Sequence, residues 1–347
     1  MNAPTTDADK PLAGIKIIEL HAIGPVPFAG QLMRSLGADV KRVSPPTDPG
    51  LGMASDPRFD LSNWGKTPVA IDLKNPAGLA EARALIDSAD VLLEGFRPGV
   101  IERLGLGPDV LLKSNPRLVI ARLSGWGTKG PYAERAGHDI NYLALTGLLH
   151  AIGTKETPVP PLNVVGDYGG GAMHLVVGVL SALVRRSIDG RGSVVTSSIL
   201  AGSVGLSHIF YGMLAAGRWT TDRVNNVLDG GAPYYRVYGT SDGRHMSVGA
   251  IEPKFYADLV KMTGLQGQID LAKQNDRSTW PDTVAKFTAA FAKRPLAEWS
   301  KEAERFDACA SPVLNFLEAA QHPHNQANSL YSLDPFPQPN KILDITR

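Results

Sequence analysis

An α/β fold is predicted for this chain, with a large Rossmann-like domain on a mostly parallel sheet followed by a smaller α+β domain. Three observations carry the prediction. Short apolar runs alternate with stretches of helical length through the N-terminal third, and strands spaced by helices pair in parallel. At 347 residues the chain exceeds what one small core organises, so two domains are expected. Near Asp229 the texture changes: LDGGAPYYRVYGTSDGRHMSVGAIEP reads as paired strands about a Ser241-Asp242-Gly243 turn.

KIIEL (Lys16 to Leu20) is the first strand, followed by a Gly-Pro loop and a helical stretch from Phe28 to Leu36 that Gly37 ends. ADVKRV is the second strand. Pro45 to Gly65, rich in Pro, Gly and Asp, is a long irregular excursion of the kind that often carries function. VAIDL (Val69 to Leu73) is the third strand, and Asn75-Pro76 caps and opens a helix reaching Ser88. VLLEGF and LVIARLSG supply two further strands. The longest apolar stretch, Ala172 to Val184, is interrupted by His174, Gly178 and Ser181 and reads as a buried helix, too short to span a bilayer. GRGSVVTSS separates it from another helical run to about Gly217, and later helical segments reach Arg305. The expected divisions are a large domain at 1–224, a small domain at 225–320 and a C-terminal segment, 321–347, returning to the large domain.

Hydrophobic content of 43% with 20% charged residues describes an ordinary globular protein. A formal net charge of +1 points to neither nucleic acid nor an anionic membrane, so an anionic ligand needs local positive charge. The single cysteine, Cys309, excludes an intrachain disulfide and any zinc site built on a Cys pair. The polar N-terminus, MNAPTTDADKP, lacks an apolar secretory core, and DITR is no peroxisomal address; a cytoplasmic location is the expectation.

The familiar nucleotide fingerprints are missing. No G-x-G-x-x-G follows the first strand, which counts against nicotinamide or flavin chemistry. Gly65-Lys66-Thr67 resembles the end of a P-loop, but Asp60 stands where its first glycine belongs. Ala201 to Gly205 misses a nucleophile elbow by one glycine.

Three polar clusters remain. Gly137-His138-Asp139-Ile140-Asn141-Tyr142 opens an apolar helical run. Histidine suits proton transfer near neutral pH, and N–H groups at a helix start stabilise an oxyanion. Gly166-Asp167-Tyr168-Gly169-Gly170-Gly171 precedes the apolar helix, where Asp167 reads as its cap and the glycines permit close approach. Gly249-Ala250-Ile251-Glu252-Pro253 sets a carboxylate at a strand end. Taken singly, each reads more readily as a cap, a surface residue or a solvated turn, and spacing alone does not bring the three together.

Beyond single motifs, LGADVKRV, IDLKNPAG, VLLEGFRPGVIERLGLGP, AGHDINYLALTG, PPLNVVGDYGGG, GAIEPKFY and DACASPVL occur in one order. Over roughly residues 12–325 this order resembles the family III CoA-transferases and, within them, the branch that racemises 2-methylacyl-CoA thioesters. The resemblance implies that His138 and Asp167 exchange a proton with opposite faces of the α-carbon, and that Glu252 orients His138, across a dimer or within the chain. It also implies that the Asp139 backbone stabilises a thioester enolate. CoA, carried as part of the substrate, would lie against Ile71, Asp72, Leu73, Lys74, Gly95, Phe96, Arg97, Arg103, Gly137, Asp139, Ile140, Asn141 and Tyr142. No separate cofactor or metal is implied, and an interlocked homodimer is. In the transferase branch an aspartate at the place of Asp167 would act as nucleophile; a CoA-binding homologue without turnover is a third reading. One departure stands out: where the family carries Asp-Arg-Pro, this chain has Ser44-Pro45-Pro46. One phosphate contact is then either missing or supplied by Lys41, Arg42 or Lys66.

Overall fold

The computed structural model describes residues 10–340 apart from 48, 51 and 53–55, together with 343 and 345. Contacts divide these residues into two units. The first holds 10–149, 160–209, 343 and 345; the second holds 150–159 and 210–340.

The first unit is built on six strands: β1 (Lys16–Leu20), β2 (Asp39–Ser44), β3 (Thr67–Ala70), β4 (Val91–Glu94), β5 (Val119–Ser124) and β6 (Ser193–Ser198). All pair in parallel, in the order β3-β2-β1-β4-β5-β6. The helices up to the division are α1 (Pro25–Ser35), α2 (Pro76–Asp87), α3 (Val100–Arg103), α4 (Pro108–Ser114), α5 (Asp139–Ala144), α6 (Leu148–Ala151), α7 (His174–Asp189), α8 (Ile199–Leu206) and α9 (His208–Ala215). Successive strand residues point to opposite faces, so two cores form. Ile17, Val40, Leu93 and Ala121 pack with Ala29 and Met33 of α1 and Leu175 and Val179 of α7. Ile18, Val43, Leu92 and Ile120 pack with Ala82 and Ile86 of α2 and Leu111 of α4.

The departures from expectation have local causes. Helix α1 starts at Pro25, not Phe28, because prolines at 25 and 27 suit a first turn whose N–H groups lack partners. Strand β3 ends at Ala70 rather than Leu73: Asp72 Oδ1 accepts the Lys74 N–H at 2.9 Å and turns the chain. Its Pro68 is tolerated because β3 is the sheet edge. The polar segment SVVTSS, expected to be a connection, forms edge strand β6 against β5. The apolar stretch read as a buried helix lies in a longer run, Val164–Asp189, which is long and apolar enough by composition to cross a membrane. Its first ten residues, Val164–Met173, are π-helical, and α7 continues them. Only one face of α7 is buried: Val177, Val184 and Ile188 are 60%, 63% and 73% exposed.

Alternation along β1 places Glu19 on the face covered by α1, where an apolar residue is expected; its side chain is 0% exposed. It is held there by Lys66 Nζ, at 2.9 and 2.7 Å from its two carboxylate oxygens. The same ammonium donates to Pro27 O at 2.8 Å and to Asn63 Oδ1 at 3.2 Å. Gly30 makes the arrangement fit, since a Cβ there would lie 1.9 Å from Glu19 Oε2. One buried ammonium thus ties β1, the first turn of α1 and the end of the irregular excursion together.

In the second unit β7 (Tyr235–Gly239), β8 (His245–Gly249) and β9 (Ala310–Pro312) form an antiparallel sheet with β8 central. The expected turn joins β7 and β8, with Gly243 at φ 74° and the Thr240 hydroxyl bonded to Asp242 Oδ1. Its helices after the sheet begins are α10 (Pro253–Met262), α11 (Trp280–Phe291), α12 (Leu296–Ala303), α13 (Phe316–Gln321) and α14 (Pro323–Ala327), and Tyr238, Tyr256, Phe287, Phe291 and Trp299 dominate the core. The division falls within α9, where composition does not change; residues 321–340 group with the second unit, and 343 and 345 group with the first.

Candidate active site

A sheet ordered β3-β2-β1-β4-β5-β6 has its switch point between β1 and β4, and ligands bind such sheets beyond the carboxyl ends of the strands there. A cavity of about 620 Å³ lies at that place. The segments after β1 (His21 to Val26), β2 (Ser44, Pro45), β3 (Ile71 to Lys74), β4 (Gly95 to Arg97) and β5 (Gly125) line it, together with Gly137, His138, Tyr142 and Asp167. Lys74 and Arg97 supply positive charge to walls that are otherwise largely apolar.

His138 is fixed by what precedes and follows it. Gly125 and Gly137 let an aromatic cluster close on the backbone: a Cβ on Gly125 would meet Tyr142 Cζ at 2.2 Å, and one on Gly137 would meet Trp126 at 2.9 Å. Trp126 stands edge-on to Tyr142 with centroids 4.7 Å apart, and the Tyr142 hydroxyl donates to Gly137 O. His138 then occupies the N-cap position of α5 with extended backbone, its N–H donating to Asn141 Oδ1 at 3.0 Å. The next N–H groups, of Asp139 and Ile140, lie in a first helical turn and have no intrahelical acceptor.

Asp167 sits within the π-helical segment, where the Tyr168 N–H reaches back to Asn163 O. Asp167 was expected to cap the apolar helix; instead it lies four residues inside the run, and the N-cap position is Asn163. A π turn widens the helix and re-aims the side chains it carries, which is why such turns recur at functional sites. Glycines let the widened backbone pack: a Cβ on Gly202 of α8 would lie 1.8 Å from Gly170 O. On the other side Phe28 of α1 stacks on Tyr168 at 4.4 Å. Gly24 faces the carboxylate itself, and a Cβ there would come within 3.2 Å of Asp167 Oδ2.

Burial and the neighbouring Asp139 carboxylate raise the Asp167 pKa to about 6, against a long hydrogen bond from Asn163 and the attraction of His138. The unfolded chain gives up this proton in the ordinary aspartate range, so above about pH 6 the fold carries a charge it resists. Asp167→Asn is therefore expected to raise stability by about 1 kcal/mol near pH 8, a value discounted for partial exposure. The gain should vanish below about pH 4, where both states hold the proton. Urea unfolding of both proteins at the two pH values checks this.

Of the residues expected at the site, His138, Asp167, Ile71 to Lys74, Gly95 to Arg97, Gly137 and Tyr142 line the one cavity. Asp139 is buried behind it, Ile140 and Asn141 are exposed on α5, and Arg103 is exposed beside Gly99. Lys66, considered for phosphate contact, is committed to Glu19. Arg42 Nη2 lies 2.9 Å from His21 Nδ1, to which it donates. Glu252 belongs to the second unit, at the N-cap position of α10, and the Gln274 amide holds the preceding carbonyls of Ala250 and Ile251 at 3.2 and 2.8 Å. The segment after β1, His21 to Val26, was missed. Its signal was the first strand's carboxyl end, which the switch-point rule marks once strand order is known.

The fold and this site define an acyl-CoA enzyme of one family. The chain belongs to CoA-transferase family III, whose model matches residues 12–339. It is similar to the alpha-methylacyl-CoA racemase of Mus musculus, 43% identical over 340 residues covering 96% of this chain and 87% of that protein. The alpha-methylacyl-CoA racemase of Homo sapiens is 41% identical over 339 residues, covering 96% and 86%. Among solved structures, Rv3272 of Mycobacterium tuberculosis superposes with a TM-score of 0.78 at 27% identity, covering 97% of this chain and 93% of that one.

Proposed function

We propose that this protein epimerises 2-methylacyl-CoA thioesters at C2 by moving the α-proton between His138 and Asp167. The observation that carries the reading is the pair itself: an imidazole and a carboxyl with a pKa near 6 line one cavity of a size suited to a ligand. Identity above 40% to two racemases supports the substrate class. The thioester α-proton is weakly acidic, so its removal needs a positioned base and a stabilised enolate oxygen. Asp139 N–H, in the first turn of α5, serves that oxygen. Inversion then needs an acid on the opposite face, so one of the two residues is protonated whenever the other is not. A carboxyl near pH 6 takes either state at low cost. The thioester supplies the activation, and the proposal includes no metal or further cofactor. Ile71 to Lys74 and Gly95 to Arg97 hold the CoA portion, with Lys74 and Arg97 toward its phosphates.

A homodimer completes the proposal. Met173, Val177, Val184 and Ile188 form one exposed apolar stripe along the run leading away from Asp167, a pattern that a second copy would cover. Glu252 is assigned to orient His138, within the chain or from the partner. Incubation of (2S)-2-methylacyl-CoA without any acceptor acid, followed by chiral separation, tests the function. Accumulation of the 2R epimer supports it; an unchanged substrate that loses its CoA once succinate is added would replace it with CoA transfer through Asp167.

A further inference from the structure

The Asp139 side chain has no part in the reaction as proposed, which uses only its N–H. Yet it is an acid 8% exposed, placed between the two proton-transfer residues. Its Oδ1 accepts the Asp167 N–H at 2.7 Å, and its carboxyl group also receives the Gly166 N–H. A Cβ on Gly166 would lie 2.2 Å from the same oxygen, so this glycine exists to let the carboxylate reach the π-helical backbone. Asp139 directly follows His138 in the chain. One carboxylate therefore bridges the turn that carries the histidine and the turn that carries the second acid.

We propose that the Asp139 carboxylate is a positioning residue that fixes Asp167 relative to His138 and stands beside the Asp167 carboxyl as a fixed negative neighbour. The inference rests on the racemase reading for its kinetic consequence but not for its electrostatic one. Two N–H bonds to a single carboxylate locate the Asp167 backbone, and like charges in one partly buried site disfavour double ionisation. The other charged and titratable groups facing Asp167 are few. His138 lowers its pKa, and Tyr142 of α5 feels the Asp167 charge in turn. Helix α8 carries no ionisable side chain, the Arg34 of α1 lies against Gly65, and His174, opening α7, is turned to Gly169 O. Burial raises the Asp139 pKa while the two N–H groups oppose it.

Asp139→Asn and Asp139→Ala separate the two parts of the role. The asparagine keeps an acceptor for both N–H groups and removes the charge; the alanine removes both. Carboxyl-13C aspartate labelling and NMR titration read Asp167 directly, with Asp167→Asn locating its signal. The expected result is a midpoint near 6 in the parent and one lower by roughly one pH unit in Asp139→Asn. In the direction where Asp167 acts as base, the acid limb of kcat against pH should move down by the same amount. Asp139→Ala should lose kcat by roughly a hundred-fold with a smaller change in KM, and Asp139→Asn should restore most of it. An Asp167 midpoint unchanged in Asp139→Asn overturns the electrostatic role, and an alanine variant with parental kcat overturns the positioning role. A parent that titrates as expected but epimerises nothing contradicts the racemase reading alone, since the NMR shift does not depend on turnover.

Discussion

Alanine in place of His138 is expected to lower epimerisation of a 2-methylacyl-CoA thioester about a thousand-fold, and Asp167→Ala is expected to do the same. Each variant removes one of two proton donors facing one cavity, and inversion requires both. The losses should be unequal in kind. With Asp167 intact, His138→Ala retains a base on one face, so slow α-proton exchange with retention persists while the opposite epimer fails to form. Asp167→Ala leaves the complementary exchange. Neither side chain supports the core: His138 is exposed and Asp167 partly so, and neither variant should unfold below the parental midpoint. Chiral analysis beside urea unfolding separates lost chemistry from lost structure, and full epimerisation by either variant contradicts the two-residue assignment.

Lys66→Ala is the second large effect, expected to cost about 3–5 kcal/mol because it leaves a buried carboxylate without its partner. Glu19 and Lys66 have side chains 0% and 1% exposed, and the ammonium also serves Pro27 O and Asn63 Oδ1. Burial pushes the Glu19 carboxyl up and the Lys66 ammonium down, while their mutual attraction opposes both shifts. The damage should reach the site, because Pro27 lies in the turn of α1 that begins beside Asp167 at Gly24. Replacing both partners, as Glu19→Leu with Lys66→Met, should recover most of the stability, since the paired charges contribute little net energy in such settings. Denaturant midpoints of the single and double variants check this, and a double variant no better than Lys66→Ala contradicts it.

The parallel sheet was legible because β1, β4 and β5 carry short apolar stretches, β2 carries Val40 and Val43 among charged residues, and glycine and proline bound all four. Strand β6 was not, because an edge strand reading SVVTSS has the polarity of a loop and gains its order from β5. The two-sided character of α7 was hidden for a related reason: Val177, Val184 and Ile188 look like core residues, and only three-dimensional packing tells which face the sheet takes. At the site, sequence order singled out His138 and Asp167 through their motifs, and the CoA segments through resemblance. The π turn, the Asp139 bridge and the segment after β1 escaped because each depends on backbone geometry or strand order. A P-loop-like Lys66 was the opposite case, a basic residue beside glycine whose real work is with a carboxylate 47 positions earlier.

The most direct test of the central claim is proton exchange at C2. Purified protein, one epimer of a 2-methylacyl-CoA thioester and D2O are combined without an acceptor acid, and the α-proton and both epimers are followed by NMR. The two-residue mechanism predicts that the α-proton signal disappears and that the newly formed epimer carries deuterium at C2 from its first appearance. An α-proton that stays in place, with the thioester intact until a carboxylic acid is added and CoA then passes to it, would contradict that mechanism.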